Sequence, residues 1–203
     1  MASISFSPKT KSQPNKMVEI EKVRLRAAFL DRDGVINKSF LRSGVPVSPR
    51  DCAEVSIIEG VTDSLNLFRK NGIIPIVITN QPDVSRGITT VEKVESINEL
   101  IRQLTGIEYF YVCFHDNLDN CNCRKPRTKL ILNAARDLNI DLGNSFMVGD
   151  RWRDIKAGQT LGMRSYFIDY SYKEIEPEPP FIRVSSLWEV ARIELGERYE
   201  SEN

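Results

Sequence analysis

The sequence of 203 residues predicts an α/β fold in which a parallel sheet is layered between helices. Short apolar runs rich in β-branched residues recur along the chain and read as strands covered on both faces. Between them lie segments whose apolar residues repeat at helical spacing. The two kinds of segment alternate, so successive strands are expected to lie parallel, joined by right-handed helical crossovers. With 41% hydrophobic residues the chain can bury one substantial core, and one domain with tails is the natural division.

Residues 1–22 are dominated by Ser, Lys, Pro, Asn and Gln and read as a disordered leader, with Met17 as an alternative start. The lack of Arg and of an amphipathic stripe there argues against a transit peptide. The domain is expected over residues 23–195, followed by a flexible tail at 196–203. Its first strand, around Ala27–Leu30, ends abruptly in Asp31-Arg32-Asp33-Gly34. If strand alternation carries through Asp33, both carboxylates point to the same side, at the strand end where open parallel sheets bind ligands. They would then be close enough to share a divalent cation. Asp and Gly are also common turn residues, so this stretch alone does not decide.

Residues 38–59 contain Gly44, Pro46, Pro49 and Asp51, too long for a simple connection and expected to overhang the site. Val61, Leu65 and Phe68 mark a helix stopped by Asn71-Gly72, and Ile73–Thr79 is the second strand. Thr89 and Glu92 read as a capping box for a helix with apolar positions Val91, Val94, Ile97, Ile101 and Leu104. A strand at Tyr109–Phe114, a helix near Thr128–Leu138 and a strand at Phe146–Gly149 follow. A short helix near Asp154–Leu161 and a strand at Arg164–Ile168 complete the alternation. Residues 173–180 read as a surface loop, Phe181–Val184 as an edge strand, and Ser186 with Glu189 as the cap of a last helix.

Twenty-eight basic residues balance 28 acidic ones, so there is no electrostatic reason to expect a nucleic-acid or membrane partner. No apolar stretch is long enough to span a bilayer. The expected ligand is therefore a small molecule, bound by a monomer in the cytoplasm. Three of the four cysteines crowd with the sole histidine between Cys113 and Cys123, which suggests a reducing compartment and a metal rather than disulfides. Cys113, His115, Cys121 and Cys123 form a CxH and CxC pair suited to tetrahedral zinc. A full ligand set leaves no position for water, so such a zinc would be structural. Cys52 reads as an ordinary thiol.

Further signals follow in a fixed order: Thr79-Asn80-Gln81 after the second run, Arg124-Lys125-Pro126 before a helix, and Gly149-Asp150 with Asp154. With the DRDG stretch they resemble the haloacid-dehalogenase (HAD) superfamily of phosphatases, over roughly residues 25–170. The resemblance implies a three-layer, Rossmann-like sheet without a large cap domain. It implies that Asp31 attacks phosphorus to form an aspartyl-phosphate and that Asp33 serves as general acid and then base. It further implies magnesium on Asp31, Asp150 and the backbone carbonyl of Asp33, with Asp154 ligating directly or through water. Thr79 and Asn80 would hold the phosphoryl oxygens, Lys125 would neutralise charge, and Arg124 would hold a distal phosphate. Asp150 and Asp154 also suit a helix N-terminus electrostatically, and both roles are compatible. Asn37 and Gln81 are expected to shape the pocket, and Arg151 and Arg153 to be structural or substrate-proximal.

Within the superfamily the zinc ligands are similar to those of a cap-poor group that includes heptose bisphosphate and histidinol-phosphate phosphatases. DRDGVIN and Arg86-Gly87 look like the heptose branch, whereas the five residues between His115 and Cys121 look like the histidinol branch. The heptose type is favoured. A zinc-stabilised interaction module without catalysis is the remaining alternative.

Overall fold

The computed structural model describes residues 23–42 and 44–196; the expected leader and nearly all of the expected tail lie outside them. Along the chain the elements are β1 (Arg26–Leu30), β2 (Phe40–Arg42), β3 (Val45–Val47), α1 (Val61–Lys70), β4 (Ile73–Asn80), α2 (Val91–Thr105), β5 (Tyr109–Cys113), α3 (Lys129–Asp137), β6 (Phe146–Gly149), α4 (Trp152–Thr160), β7 (Arg164–Ile168), β8 (Ile182–Val184) and α5 (Leu187–Leu195). The main sheet has six strands in the order β5-β4-β1-β6-β7-β8. All its pairings are parallel.

Alternation along β1 explains the three layers. Ala28 and Leu30 join one buried cluster with Val61, Leu65, Ile97, Leu187 and Val190, which belong to α1, α2 and α5. Ala27 and Phe29 join a second cluster with Leu130, Ile131, Ala134 and Ala157 of α3 and α4. Neighbouring residues of one strand thus feed opposite faces, as a doubly covered strand requires.

The chain runs outward from β1 through β4 to β5, then returns to lay β6, β7 and β8 on the other side. The order therefore reverses between β1 and β6, and ligands of open α/β sheets bind outside the strand ends at such a switch. Asp31 follows β1 and Asp150 follows β6 directly, and the Asp31 N–H donates to the Val148 carbonyl at 3.0 Å.

Several boundaries differ from the sequence reading. β1 stops at Leu30, so strand geometry does not carry through Asp33. The strand expected to reach Phe114 ends at Cys113, and α4 starts at Trp152 rather than near Asp154. The cap of α2 is Thr90, not Thr89: Thr90 is extended and its side chain accepts the Lys93 N–H. Val91 and Leu104, expected on the apolar face, are exposed, and Val94, Ile97, Asn98, Ile101 and Thr105 form the buried stripe. Residues 38–59, expected as irregular chain, contain the antiparallel β2–β3 hairpin. The edge strand occurs as β8, and the Ser186 side chain caps α5 by accepting the Glu189 N–H.

Candidate active site

Asp31, Asp150 and Asp154 each offer a carboxylate oxygen, and these oxygens all lie within 4.8 Å of one another. Crowding three buried carboxylates is costly unless cations offset them. Lys125 supplies one: it is 1% exposed, and its Nζ lies 2.8 Å from Asp31 Oδ1 and 2.6 Å from Asp154 Oδ1. It also donates to the Ile78 carbonyl at 2.5 Å. Burial lowers the Lys125 pKa, but the two carboxylates outweigh it and raise it, so the ammonium stays charged. Burial pushes Asp31 up to about 6 despite the ammonium beside it.

Both carboxylate oxygens of Asp150 are buried without a hydrogen-bond partner. Such an orphan is expensive unless something absent from the polypeptide occupies it. Burial first, and then the negative charges of Asp31 and Asp154, raise its pKa well above the usual range. Space for Asp150 exists only because residue 34 is glycine, with φ +88°; a Cβ there would lie 2.0 Å from Asp150 Oδ2. Gly149 does the same for Asp154, whose Cβ lies 2.1 Å from where a residue-149 Cβ would be. Oxygen donors with an unsatisfied carboxylate in their midst fit a hard divalent cation such as magnesium.

Asp33 lies in the same pocket with a separate set of partners. Its oxygens accept from Arg32 Nε at 3.2 Å and Nη2 at 2.9 Å, Asn37 Nδ2 at 2.9 Å, Ser48 Oγ at 2.7 Å and Gln81 Nε2 at 2.8 Å. Burial raises its pKa, but the Arg32 guanidinium and these donors win, and it falls below the usual value. Arg32 is fully buried and donates Nη1 to Asn98 Oδ1 at 2.9 Å. Gln81 Nε2 also donates to the Thr79 hydroxyl at 2.8 Å, which leaves the Thr79 proton free to donate.

Ser39, Pro46, Val47 and Ser48 bring the hairpin segment over one wall. Arg124, Arg151 and Arg153 line the rim. Arg124 Nε donates to Asn117 Oδ1 at 2.9 Å and Nη1 to the His115 carbonyl at 3.3 Å, with Asp116 at 3.9 Å. Arg151 pairs with Glu174. Burial, and then the like charge of Arg151, lowers the Arg153 pKa.

Beside the pocket, Cys113 Sγ lies 3.7 Å from Cys121 Sγ, 3.3 Å from Cys123 Sγ and 3.6 Å from His115 Nδ1, and Cys123 Sγ lies 3.3 Å from that nitrogen. Zinc with bonds of about 2.3 Å to sulfur and about 2.0–2.1 Å to nitrogen needs tetrahedral edges of roughly 3.8 Å and 3.6 Å. The ligand set fits that tetrahedron, slightly contracted at Cys123. Burial raises the Cys121 thiol, but the Arg124 and Cys123 backbone N–H groups outweigh it and bring it to about 7.

A HAD-hydrolase-like family model matches residues 122–188, a span that includes Lys125, Asp150 and Asp154. D-glycero-β-D-manno-heptose-1,7-bisphosphate 7-phosphatase of Helicobacter pylori is 37% identical over 139 residues, covering 66% of this chain and 76% of that protein. The enzyme of the same name from Haemophilus influenzae is 31% identical over 144 residues, covering 66% and 75%. The chain belongs to this family of HAD-like phosphatases. The phosphatase shares its fold with D,D-heptose 1,7-bisphosphate phosphatase of B. bronchiseptica, solved with magnesium and phosphate: TM-score 0.73, 22% identity, 86% of this chain and 100% of that one.

The pocket and the adjoining cysteine cluster gather every residue expected to catalyse, to hold phosphate or to ligate metal, whereas Asn37 and Gln81 do not line the pocket and reach it only through the Asp33 carboxylate; one expectation is corrected. The Asp33 carboxylate is not in the acidic trio, because the chain leaves strand geometry at Leu30 and Arg32 draws it aside. The Asn80 amide is tied to the Lys125 backbone, with Oδ1 accepting its N–H at 3.0 Å and Nδ2 donating one hydrogen to its carbonyl at 3.1 Å, which leaves the second Nδ2 hydrogen able to donate into the pocket. Sequence reasoning missed Arg32, Ser48, Asn98 and Glu174. Only Asn98 left a signal, as a polar residue one position after Ile97 and four after Val94 on the buried stripe of α2.

Proposed function

We propose that this phosphatase hydrolyses D-glycero-D-manno-heptose 1,7-bisphosphate at its 7-phosphate with magnesium. The reading is carried by the trio of carboxylates around Lys125 in which Asp150 has both oxygens unpartnered. The substrate follows the names of its relatives.

Asp31 Oδ1 is engaged by Lys125 and by the Arg32 N–H at 2.8 Å, so Oδ2 is the oxygen that attacks phosphorus. The bond from phosphorus to the sugar oxygen breaks, and Asp33 gives its proton to the departing alkoxide. Asp33 then takes a proton from water, which attacks the aspartyl-phosphate; the bond to Asp31 breaks and phosphate leaves. The lowered pKa of Asp33 in the free protein suits the second step. Its protonation for the first is favoured by the negative charge of the arriving phosphoryl group. The Thr79 hydroxyl, the Asn80 backbone or amide and Lys125 steady the phosphoryl oxygens, and Arg124 takes the distal phosphate. Asp31, Asp150, Asp154 and the Asp33 carbonyl would hold magnesium, directly or through water, and so neutralise charge on the carboxylates and the transferred group.

Cys113, His115, Cys121 and Cys123 would hold a structural zinc that shapes the loop entering Arg124 and Lys125. Reduced thiols at this spacing suit the cytoplasm. The short His115–Cys121 interval favours histidinol phosphate as the second reading.

A panel of heptose 1,7-bisphosphate, sugar monophosphates and histidinol phosphate, assayed with magnesium, tests this. The expected kcat/KM is highest for the heptose bisphosphate, and Asp31→Asn abolishes turnover while keeping the fold. Comparable poor rates on every substrate reject both substrate readings. Undiminished turnover by Asp31→Asn rejects the nucleophile.

A further inference from the structure

The pocket's cations are not equally committed. Lys125 at the floor is shared between Asp31 and Asp154. At the rim Arg124 is fixed by Asn117 and the His115 carbonyl, and Arg151 is matched by Glu174. Arg153, in the first turn of α4, lines the same pocket and is half-buried, yet among the described residues it makes neither an ion pair nor a hydrogen bond. Its guanidinium carbon instead lies 5.0 Å from the Trp152 ring centroid, a cation–π contact that uses the face of the fork and leaves its N–H groups without an acceptor.

A half-buried guanidinium without an acceptor is poorly satisfied, and solvated surface arginines do not line an anion-binding cleft. Stacking on Trp152 restrains the plane of the fork, so less conformational freedom is lost when two of its N–H groups engage one planar or tetrahedral anion. The proximal phosphoryl group is served at the floor, where Lys125 and Thr79 lie. A cation left over at the rim therefore faces a second anionic group carried by the same substrate.

We propose that Arg153 is a specificity-determining residue that binds the substrate's second, non-reacting phosphate beside Arg124, making the enzyme prefer bisphosphorylated over monophosphorylated sugars. This rests on the reading of the pocket as a sugar-phosphate phosphatase site. It assigns to Arg153 a role that Arg151, held by Glu174, does not fill.

The test compares wild type with Arg153→Ala, Arg153→Lys and Arg153→Glu, all loaded with magnesium. The first arm measures kcat/KM for heptose 1,7-bisphosphate and heptose 7-phosphate. Loss of a charge-assisted bidentate contact is expected to lower kcat/KM for the bisphosphate about 10- to 100-fold, mainly through KM, and to leave the monophosphate within about twofold. Arg153→Lys recovers part of the preference and Arg153→Glu loses most. The second arm needs no turnover: calorimetric titration with fructose 1,6-bisphosphate and fructose 6-phosphate. A preference for the bisphosphate that falls at least tenfold in Arg153→Ala supports the assignment even if no heptose is hydrolysed. Absence of that preference in wild type, its survival in Arg153→Ala, or equal losses on both members of a pair overturns it. Failure of wild type to hydrolyse heptose 1,7-bisphosphate overturns the substrate reading alone.

Discussion

Replacing Lys125 by Met keeps an unbranched side chain one atom shorter and removes its charge. In wild type the ammonium makes two ion pairs, at 2.8 Å to Asp31 and 2.6 Å to Asp154, while 1% exposed. Breaking a buried pair by removing one partner costs about 3–5 kcal/mol, because the other charge stays buried. For a domain of this size each kcal/mol moves Tm by about 2–4 °C, so Lys125→Met is expected to lower Tm by about 6–20 °C in chelator near neutral pH. The loss should depend on pH with a defined sign. Folding raises the Asp31 pKa from 3.8 to about 6, so the folded state binds the extra proton between those values. The stability this contributes is fully present below the unfolded value and is lost as pH rises through about 6. Without the ammonium that upward shift grows, so the deficit of the variant is smallest in acid and widens as pH rises. Magnesium replaces the missing cation and should raise Tm more in the variant than in wild type, while turnover stays lost. Calorimetry with and without magnesium, at several pH values, reads all of this. A variant whose Tm in chelator matches wild type, or which magnesium stabilises no more than wild type, would refute the charge accounting of the site.

Gly34→Ala places a Cβ 2.0 Å from Asp150 Oδ2 at a φ of +88°, and is expected to raise the magnesium concentration for half-maximal activity at least about tenfold. An unchanged magnesium titration would count against Asp150 as a metal ligand. Protein purified without added metal is expected to hold about one equivalent of zinc, and Cys121→Ser to lose it together with Tm and kcat, because Cys123 immediately precedes Arg124 and Lys125. A zinc-free protein of undiminished Tm would dismiss the structural zinc. Asn98→Leu strands the buried Arg32 Nη1 donor, and a stability loss of about 1–3 kcal/mol is expected, with kcat falling more than KM rises as Asp33 loses its anchor. Chemical denaturation and steady-state kinetics check this, and equal effects on kcat and KM would deny Arg32 a positioning role.

The parts of the fold legible in sequence are those set by local pattern. Ile73–Asn80 is almost wholly apolar and β-branched and forms β4, while Cys113, His115, Cys121 and Cys123, grouped by their spacing, come together in one cluster that could hold a metal ion. The cap of α2 was misplaced by one residue because Thr89 and Thr90 are chemically equivalent, and only the backbone turn selects Thr90. The site was legible where strand ends supply it, as at Asp31, Thr79 and Asp150. It was not legible where distant chain folds in. Ser48 reaches Asp33 from 15 residues away and Glu174 reaches Arg151 from 23 away, and neither has a local signature. Arg32, flanked by two aspartates, looked like the spacer of a DxD pair; burial with Asn98 makes it the anchor of one of them.

The charges explain why these residues belong together. Asp33 is matched by Arg32, Arg151 by Glu174, and Arg124 lies near Asp116. What those local matches leave at the floor is Asp31, Asp150 and Asp154 against Lys125, a surplus of two negative charges when all are ionised, and at the rim Arg153, which makes no ion pair among the described residues. A divalent cation balances the floor, and both unpartnered oxygens of Asp150 lie within that surplus. With the cation in place the floor is neutral, so a phosphoryl dianion can approach Asp31 without the repulsion three carboxylates would otherwise impose. Metal binding must then precede or accompany substrate binding. The same accounting requires that, without magnesium, sugar phosphates bind far more weakly while the rim arginines remain in place.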